Sequence, residues 1–437
     1  MKKSLFDRNY KKAGAALLLI GGGIALFKKS AIVTAFAAVL ASGSVSAANP
    51  ITFSDLNGHW SSESVAAAIE KGYVDGYEDQ TFRPDVEVSR AEFIKMIVAS
   101  SKLPVKAPVE NEEWYLPFYN AAVSKGIVTN GDFPKDKLNV AISRADMAKL
   151  SLRASNEKLL SKELVDGEAM YESTKTGLIQ GMDDRGTLAP EGQTTRAQSV
   201  TIIQRVLDLH SGKALATDKY AISQAEIEWH KTNIFTMLPQ YFLKGYLLTG
   251  KKLDVSKLRY EGENGYSEVE KYVVIDLDDP NDPNRGLIPE NVQWRLGGGI
   301  NGPINEWPTD AYALISVNRL VVNSPTDVET FRASGIYASF SGQSEELKAA
   351  GKPWKLGYFS EYYPKYRAIY QASVFDVKAG YNDIRYIYGQ FIPKGVLTAP
   401  DGQNNMVLYN RSATELGQPS SSIAVYGSPV DYSLVKE

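Results

Sequence analysis

Val88-Ser89-Arg90-Ala91-Glu92-Phe93, Ile142-Ser143-Arg144-Ala145-Asp146-Met147 and Thr194-Thr195-Arg196-Ala197-Gln198-Ser199 decide the reading of this chain. Each stretch runs hydroxyl residue, Arg, Ala, then a carboxylate, an amide or its analogue, and the Arg residues lie 54 and 52 positions apart. Working outward, Gly72 and Gly126 stand eighteen residues before the first two Arg, and Gly177 stands nineteen before the third. Trp60 and Trp114 each lie thirty residues before their Arg, whereas the third copy has Val165 near that place. Agreement at so many offsets marks an internal repeat of about fifty residues in three copies.

Each copy reads as helix, loop, helix. Ser61 or Ser62 caps a first helix that turns Val65, Ala68 and Ile69 inward, and Gly72 ends it. A loop dense in turn residues follows. Ser89 with Glu92 then forms a capping box, in which hydroxyl and carboxylate satisfy each other's backbone N–H groups. Ser143 with Asp146 and Thr195 with Gln198 repeat it, and Phe93, Ile94, Ile97 and Val98 supply the apolar stripe of the second helix. The Arg is the odd member, because the positive end of the helix dipole disfavours a cation there. Two readings stand open. Free amides and a guanidinium together would hold a carboxylate or phosphate. Alternatively the Arg pairs with a nearby acid such as Asp75 or Asp79 and stiffens the loop.

The pattern Phe53-x-Asp55, His59-Trp60, Gly72-Tyr73, Asp75-Gly76-Tyr77, Thr81-Phe82-Arg83-Pro84 and Ser89-Arg90-Ala91-Glu92 resembles the S-layer homology (SLH) module. The resemblance extends over residues 51–207 as a triplet, read as modules at 48–104, 105–157 and 158–209. It implies an all-α, helix-loop-helix pseudo-trimer whose grooves bind a pyruvylated secondary cell-wall polymer attached to peptidoglycan. By resemblance Arg90, Arg144 and Arg196 hold the pyruvyl carboxylate. Trp60 and Trp114 line the sugar face or the groove wall, although such Trp residues are more often core. Asp75, Gly76, Gly131 and Gly181 shape the loops beside them. The second loop is shortened to Gly131-Asp132-Phe133-Pro134, and the third copy lacks the Trp and has Gln198 for Glu. Unequal grooves are expected, with the one using Arg90 the strongest.

The chain has 437 residues, no Cys, three His and a net charge of −3. Zero Cys excludes disulfides, thiolate metal sites and Cys nucleophiles together. Residues 1–47 carry seven basic residues and one acid, with apolar runs at 13–27 and 31–40 and a small-residue end at Ser44-Val45-Ser46-Ala47-Ala48. Neither run reaches the ~20 residues of a spanning helix, so the segment reads as a signal peptide cleaved after Ala47 or Ala48. What remains has 41 basic and 50 acidic residues, a charge of −9 that disfavours nucleic acid. The expected location is the wall or S-layer of a Gram-positive-type bacterium, without membrane contact after cleavage.

After a linker at 210–220, residues 221–437 read as a β-rich, sandwich-like or α+β domain, opening with a helical stretch at 221–248 that Pro239 divides. Strand-like runs include 272–277, 313–317, 320–322, 336–340, 384–388 and 406–409. Gly297-Gly298-Gly299-Ile300-Asn301-Gly302 matches a dinucleotide-site pattern but has no following helix, since Pro303 and Pro308 flank it. Asp276, Asp278, Asp279 and Asp282 crowd one turn. They form either a solvated turn or a calcium site, although the spacing departs from an EF-hand. No other cofactor is implied. The domain is expected to be non-enzymatic and to self-associate in a surface layer. A wall-anchored enzyme acting on glycans, or an adhesin binding carbohydrate or protein, are the alternatives.

Overall fold

A computed structural model describes residues 53–242, 255–288, 292–296, 308–333, 335–339, 342–361, 373–397, 406–411 and 422–427. The signal-peptide reading of 1–47 and the glycine run at 297–302 lie outside the described residues.

The three repeats give six helices: α1 (Ser62–Glu70), α2 (Arg90–Ser100), α3 (Leu116–Lys125), α4 (Arg144–Ser155), α5 (Asp166–Lys175) and α6 (Arg196–His210). The second helix of each repeat begins at its Arg, as the caps require. Ser89 Oγ accepts from Glu92 N at 3.2 Å, and Ser89 N donates to Glu92 Oε2 at 2.7 Å. Thr195 and Gln198 close the same box. Ser143 accepts from Asp146 N, but the reciprocal bond is missing because the Asp146 carboxylate takes Arg90 instead. Gly72, Gly126 and Gly177 end the first helices with φ of 73°, 83° and 77°, a left-handed turn that side chains with a Cβ disfavour.

A backbone cycle joins the three repeats. Val88 N donates to Thr194 O, Thr194 N to Ile142 O, and Ile142 N to Val88 O, at 2.9–3.0 Å. Around it α1 packs on α6, α3 on α2 and α5 on α4. Val65, Phe82, Phe93, Ile97, Ile127, Leu138, Leu150, Ile179 and Ile203 are buried in one continuous core.

The segment after α6 is not a free linker. Gln180 Nε2 donates to Ala216 O and Gly181 N to Asp218 Oδ2, so it lies on the third repeat's loop. Asp218 caps α7 (Lys219–His230), which starts two residues before the expected helix. That helix ends at Lys231, with φ 64°, rather than at Pro239, and α8 (Ile234–Met237) is a single short turn. One side of α7 packs on α5, where Trp229 lies tilted against the Tyr171 ring and sits on Gly167. The other side reaches the β region: Tyr220 donates to Asp279, and Asn233 exchanges hydrogen bonds with both backbone groups of Val274.

The C-terminal part is β-rich and antiparallel. A six-stranded sheet runs β1 (Arg259–Gly262), β2 (Gly265–Asp276), β4 (Ala311–Ser324), β9 (Gly380–Pro393), β7 (Gly357–Glu361) and β3 (Val292–Leu296). A three-stranded sheet runs β11 (Ser422–Gly427), β10 (Val407–Arg411) and β6 (Ile336–Ser339), and β5 (Val328–Ala333) pairs with β8 (Ser373–Val377). Tyr272, Val274 and Leu314 from the first sheet share a core with Ile336, Ala338 and Leu408 from the second and with Ile234, Met237 and Phe242. Among the described residues no helix is long and apolar enough to cross a membrane.

Candidate functional site

The cap geometry fixes where each repeated Arg goes. The helix's first two amides are not free: Arg90 N and Ala91 N donate to Val140 O and Leu138 O of the next repeat. Arg144 N and Ala145 N do the same with Gly192 O and Pro190 O, and Arg196 N and Ala197 N with Val86 O and Pro84 O. The expectation of exposed amides helping to hold an anion is therefore corrected, because neighbouring loop carbonyls already satisfy them. What each boundary offers is the guanidinium alone.

The three guanidinium environments differ. Arg90 Nε and Nη2 meet Asp146 Oδ2 at 2.9 and 2.8 Å, and Nη1 donates to Lys137 O at 3.2 Å. Arg144 is 5% exposed and donates to Leu188 O at 2.7 Å and Gln180 O at 3.0 Å. Arg196 donates to Phe82 O and Asp75 O, both at 3.0 Å, and lies over the rings of Phe82 and Tyr77. Burial pushes the pKa of Arg144 and Arg196 down. Every one of these bonds crosses from one repeat to the next. The acids proposed as local partners do otherwise: Asp79 pairs with Arg83 at 2.9 Å, and Asp75 contributes its backbone carbonyl.

The other residues singled out by the sequence fall around these boundaries. Trp60 is 62% exposed and packs beside His59. Trp114 is half-buried, edge-on to Tyr115 with Lys95 above it, and belongs to the core margin. Gly76 lies under the Phe53 ring, Gly131 leaves room for Glu163, and a Cβ on Gly181 would stand 2.5 Å from Gly186 Cα. Val165 is 63% exposed, and the helix that lacks a Trp there is covered by Trp229 from α7. A cleft of about 580 Å³ opens between residues 180–184 and 217–219.

Sequence reasoning missed the most deeply buried ion pair among the described residues of the repeats. Arg153, fully buried, grips Asp132 with Nη1–Oδ2 at 2.7 Å and Nη2–Oδ1 at 2.9 Å, and also donates to Lys162 O and Ile127 O. The available signal was an Arg nine residues after the repeated Arg in two copies.

In the acidic turn of the β region every carboxylate is engaged. Asp276 and Asp278 meet Lys394, Asp279 accepts from Tyr220, and Asp282 accepts from Asp276 N and Asn284 N. Burial pushes the Asp282 carboxyl up, while a hydrogen bond from Tyr220 holds Asp279 down. Among the described residues no group of three or more His, Asp or Glu is arranged to hold a metal ion.

With this geometry in view, the comparisons are specific. Residues 52–94 match the S-layer homology domain model, so the chain carries that domain. It is 33% identical over 135 residues to the S-layer protein sap of Bacillus anthracis, covering 29% of this chain and 16% of that protein. It is 27% identical over 179 residues to the exoglucanase XynX of Acetivibrio thermocellus, covering 36% of this chain and 16% of the relative. A cellulosome-anchoring protein of the same organism is 42% identical over 43 residues, 10% of each chain. The chain spans less than a fifth of the length of the curated relatives it matches.

Proposed function

We propose that this is a secreted cell-surface protein that its helical repeats tether, without a covalent bond, to an acidic secondary wall polymer carrying pyruvylated amino sugars. The observation that carries the reading is the repeated Arg. In a chain with an S-layer homology domain at 52–94, the Arg of that domain recurs at 144 and 196, and each reaches across a boundary onto the next loop. On this reading residues 48–209 are three modules arranged as a pseudo-trimer, and the three boundaries are its grooves. A net charge of −9 after the leader forbids bulk attraction to an acidic polymer. Local guanidinium groups can still act, because screening confines charge effects to about 8–10 Å at ordinary salt. On this reading the groove at Arg90 is the weaker one, since the Asp146 carboxylate already occupies that guanidinium, whereas among the described residues Arg144 and Arg196 meet carbonyls and rings. Trp60 is exposed enough to stack on a sugar.

The β region faces outward with a structural or binding role, self-association in a surface layer being the first choice. A glycan-directed enzyme is the second reading, favoured by the similarity to the exoglucanase XynX.

The test is co-sedimentation of the chain with purified wall sacculi, before and after acid removal of the secondary polymer. Retention should vanish with the polymer, and in the Arg144→Ala, Arg196→Ala double variant. Undiminished retention on stripped sacculi would remove the polymer reading.

A further inference from the structure

The glycines of the repeats differ in what they leave room for. A Cβ on Gly72 of the first repeat, whose φ is 73°, would meet nothing within 4 Å. Gly126 of the second is covered by Ser161, part of the chain's own link into the third repeat. In the third, four glycines face the stretch 215–229, which lies beyond the repeats. A Cβ on Gly177 would stand 2.6 Å from Ala216 O, one on Gly181 2.8 Å from Asp218 Oδ2, and one on Gly167 3.2 Å from Trp229 Cβ. A Cβ on Gly186, whose φ is 71°, would overlap the backbone of Tyr220 and Ala221 at the start of α7. The left-handed turns at Gly177 and Gly186 call for glycine by themselves. Gly167 has no such φ and sits within α5, where glycine is disfavoured, so the close approach of Trp229 accounts for it. The third repeat is shaped to receive α7 as the second is shaped to receive the third.

The helix is equally part of the β region. Ala221 and Ala225 lie in the core of the repeats, whereas Ile227 lies in a core with Val273, Ile275 and Phe391 of the six-stranded sheet. Just past the helix the chain stands in for an edge strand. β1 pairs with Gly265–Glu268 of β2 and goes no further. Along the same strand Tyr272 N donates to Lys231 O at 2.9 Å, and Asn233 takes both backbone groups of Val274. Covering exposed ladder groups in this way ties the elbow to the sheet. Trp229 grips the repeats and Lys231 grips the sheet two positions later, so no free residue lies between the two attachments. Joined domains ordinarily move against each other unless shared packing prevents it. Here the described residues from 53 onward form one compact unit.

We propose that α7 is a rigid strut that fixes the β region in one orientation on the helical repeats. The outer region is then presented in a direction set by the fold, not on a flexible tether, and neighbouring copies held on one surface would show their β regions alike. This goes beyond the polymer reading and does not depend on what the repeats bind.

The experiment uses spin labels on the full chain. Because the sequence has no Cys, Glu63→Cys with Asn323→Cys, both at exposed positions, places one label on the repeats and one on the sheet. Double electron–electron resonance should give a single distance distribution as narrow as that of a control pair within the repeats, Glu63→Cys with Lys158→Cys. Trp229→Ala with Asn233→Ala loosens both attachments and should broaden it. Gly186→Ala and Gly72→Ala impose the same backbone strain, and only the first should shift the distribution, because only there does the new Cβ strike α7. Circular dichroism selects the variants that fold. A broad or multiple distribution in the otherwise unaltered chain would overturn the proposal, whatever the variants do. A narrow distribution that neither Gly186→Ala nor the double alanine variant alters would overturn it too, since something other than α7 would then hold the β region.

Discussion

Replacing Arg153 by Met is the sharpest probe of what holds the second repeat together. The guanidinium is wholly buried and makes four hydrogen bonds, two to Asp132 and two to the carbonyls of Lys162 and Ile127. Methionine fills much of the volume but strands a carboxylate whose remaining donor is Thr129 N at 2.8 Å. Breaking one side of a buried pair typically costs about 3–5 kcal/mol, because the surviving charge keeps its desolvation penalty. For a unit of this size that is a fall of roughly 6–20 °C in the unfolding temperature of the helical region. The double variant Arg153→Met, Asp132→Leu removes both charges and should recover most of the loss, since a packed apolar pair is often no worse than a buried ion pair. Urea unfolding of the single and double variants, followed by helical circular dichroism, measures the coupling. A single variant within about 1 kcal/mol of the original, or a double variant as unstable as the two singles summed, would refute the reasoning.

Further outcomes follow from the joint between α7 and the β region. Burial pushes the Glu226 carboxyl up to about 7, outweighing its hydrogen bonds from Phe235 N, Thr236 N and Thr236 Oγ1. Its contribution is therefore full below about pH 4.5 and falls by about 3 kcal/mol as pH rises to about 7. His230 behaves oppositely: burial lowers its pKa to about 4, so stability is lost as pH falls from 6.5 towards 4. The two slopes offset each other in the original chain. His230→Phe should expose a decline with rising pH in denaturant midpoints, and Glu226→Gln the reverse; a flat profile in both would disprove the opposition. Gln390→Leu removes the paired hydrogen bonds that join β9 to Ala338 of β6, and should cost about 1–3 kcal/mol in melting experiments.

The repeat, the helix starts and the glycine stops were legible because caps and left-handed turns are local devices that need the right residue at the right offset. Ser89 with Glu92 and Thr195 with Gln198 behaved as their spacing demanded. Ser143 with Asp146 did not, because Arg90, 56 residues earlier, competes for the carboxylate. That competition is tertiary and leaves no trace in the spacing. The same limit hid the Arg153–Asp132 pair and the contacts of the segment after α6. Its turn-rich composition reads as a linker, yet Ala216 and Asp218 are hydrogen-bonded to the third repeat's loop. The strand runs were legible because they are rich in β-branched and aromatic residues and separated by Gly, Asn and Pro, while the sheet order, with β9 between β4 and β7, depends on pairings distant in sequence.

The backbone cycle has a consequence for the order of assembly. Arg90 meets Lys137 across 47 residues and Arg144 meets Leu188 across 44, but Arg196 meets Phe82 across 114. The entropy of closing that longer loop exceeds the shorter ones by only about 0.8 kcal/mol, so at equilibrium the third boundary is scarcely handicapped. In time it is different. A chain emerging from its N-terminus can join its first two boundaries early, while the carbonyls of Asp75, Phe82, Pro84 and Val86 wait for Arg196 and Ala197. The last turn of the ring is thus a checkpoint on completeness: a chain cut short before α6 keeps an open edge on its first repeat.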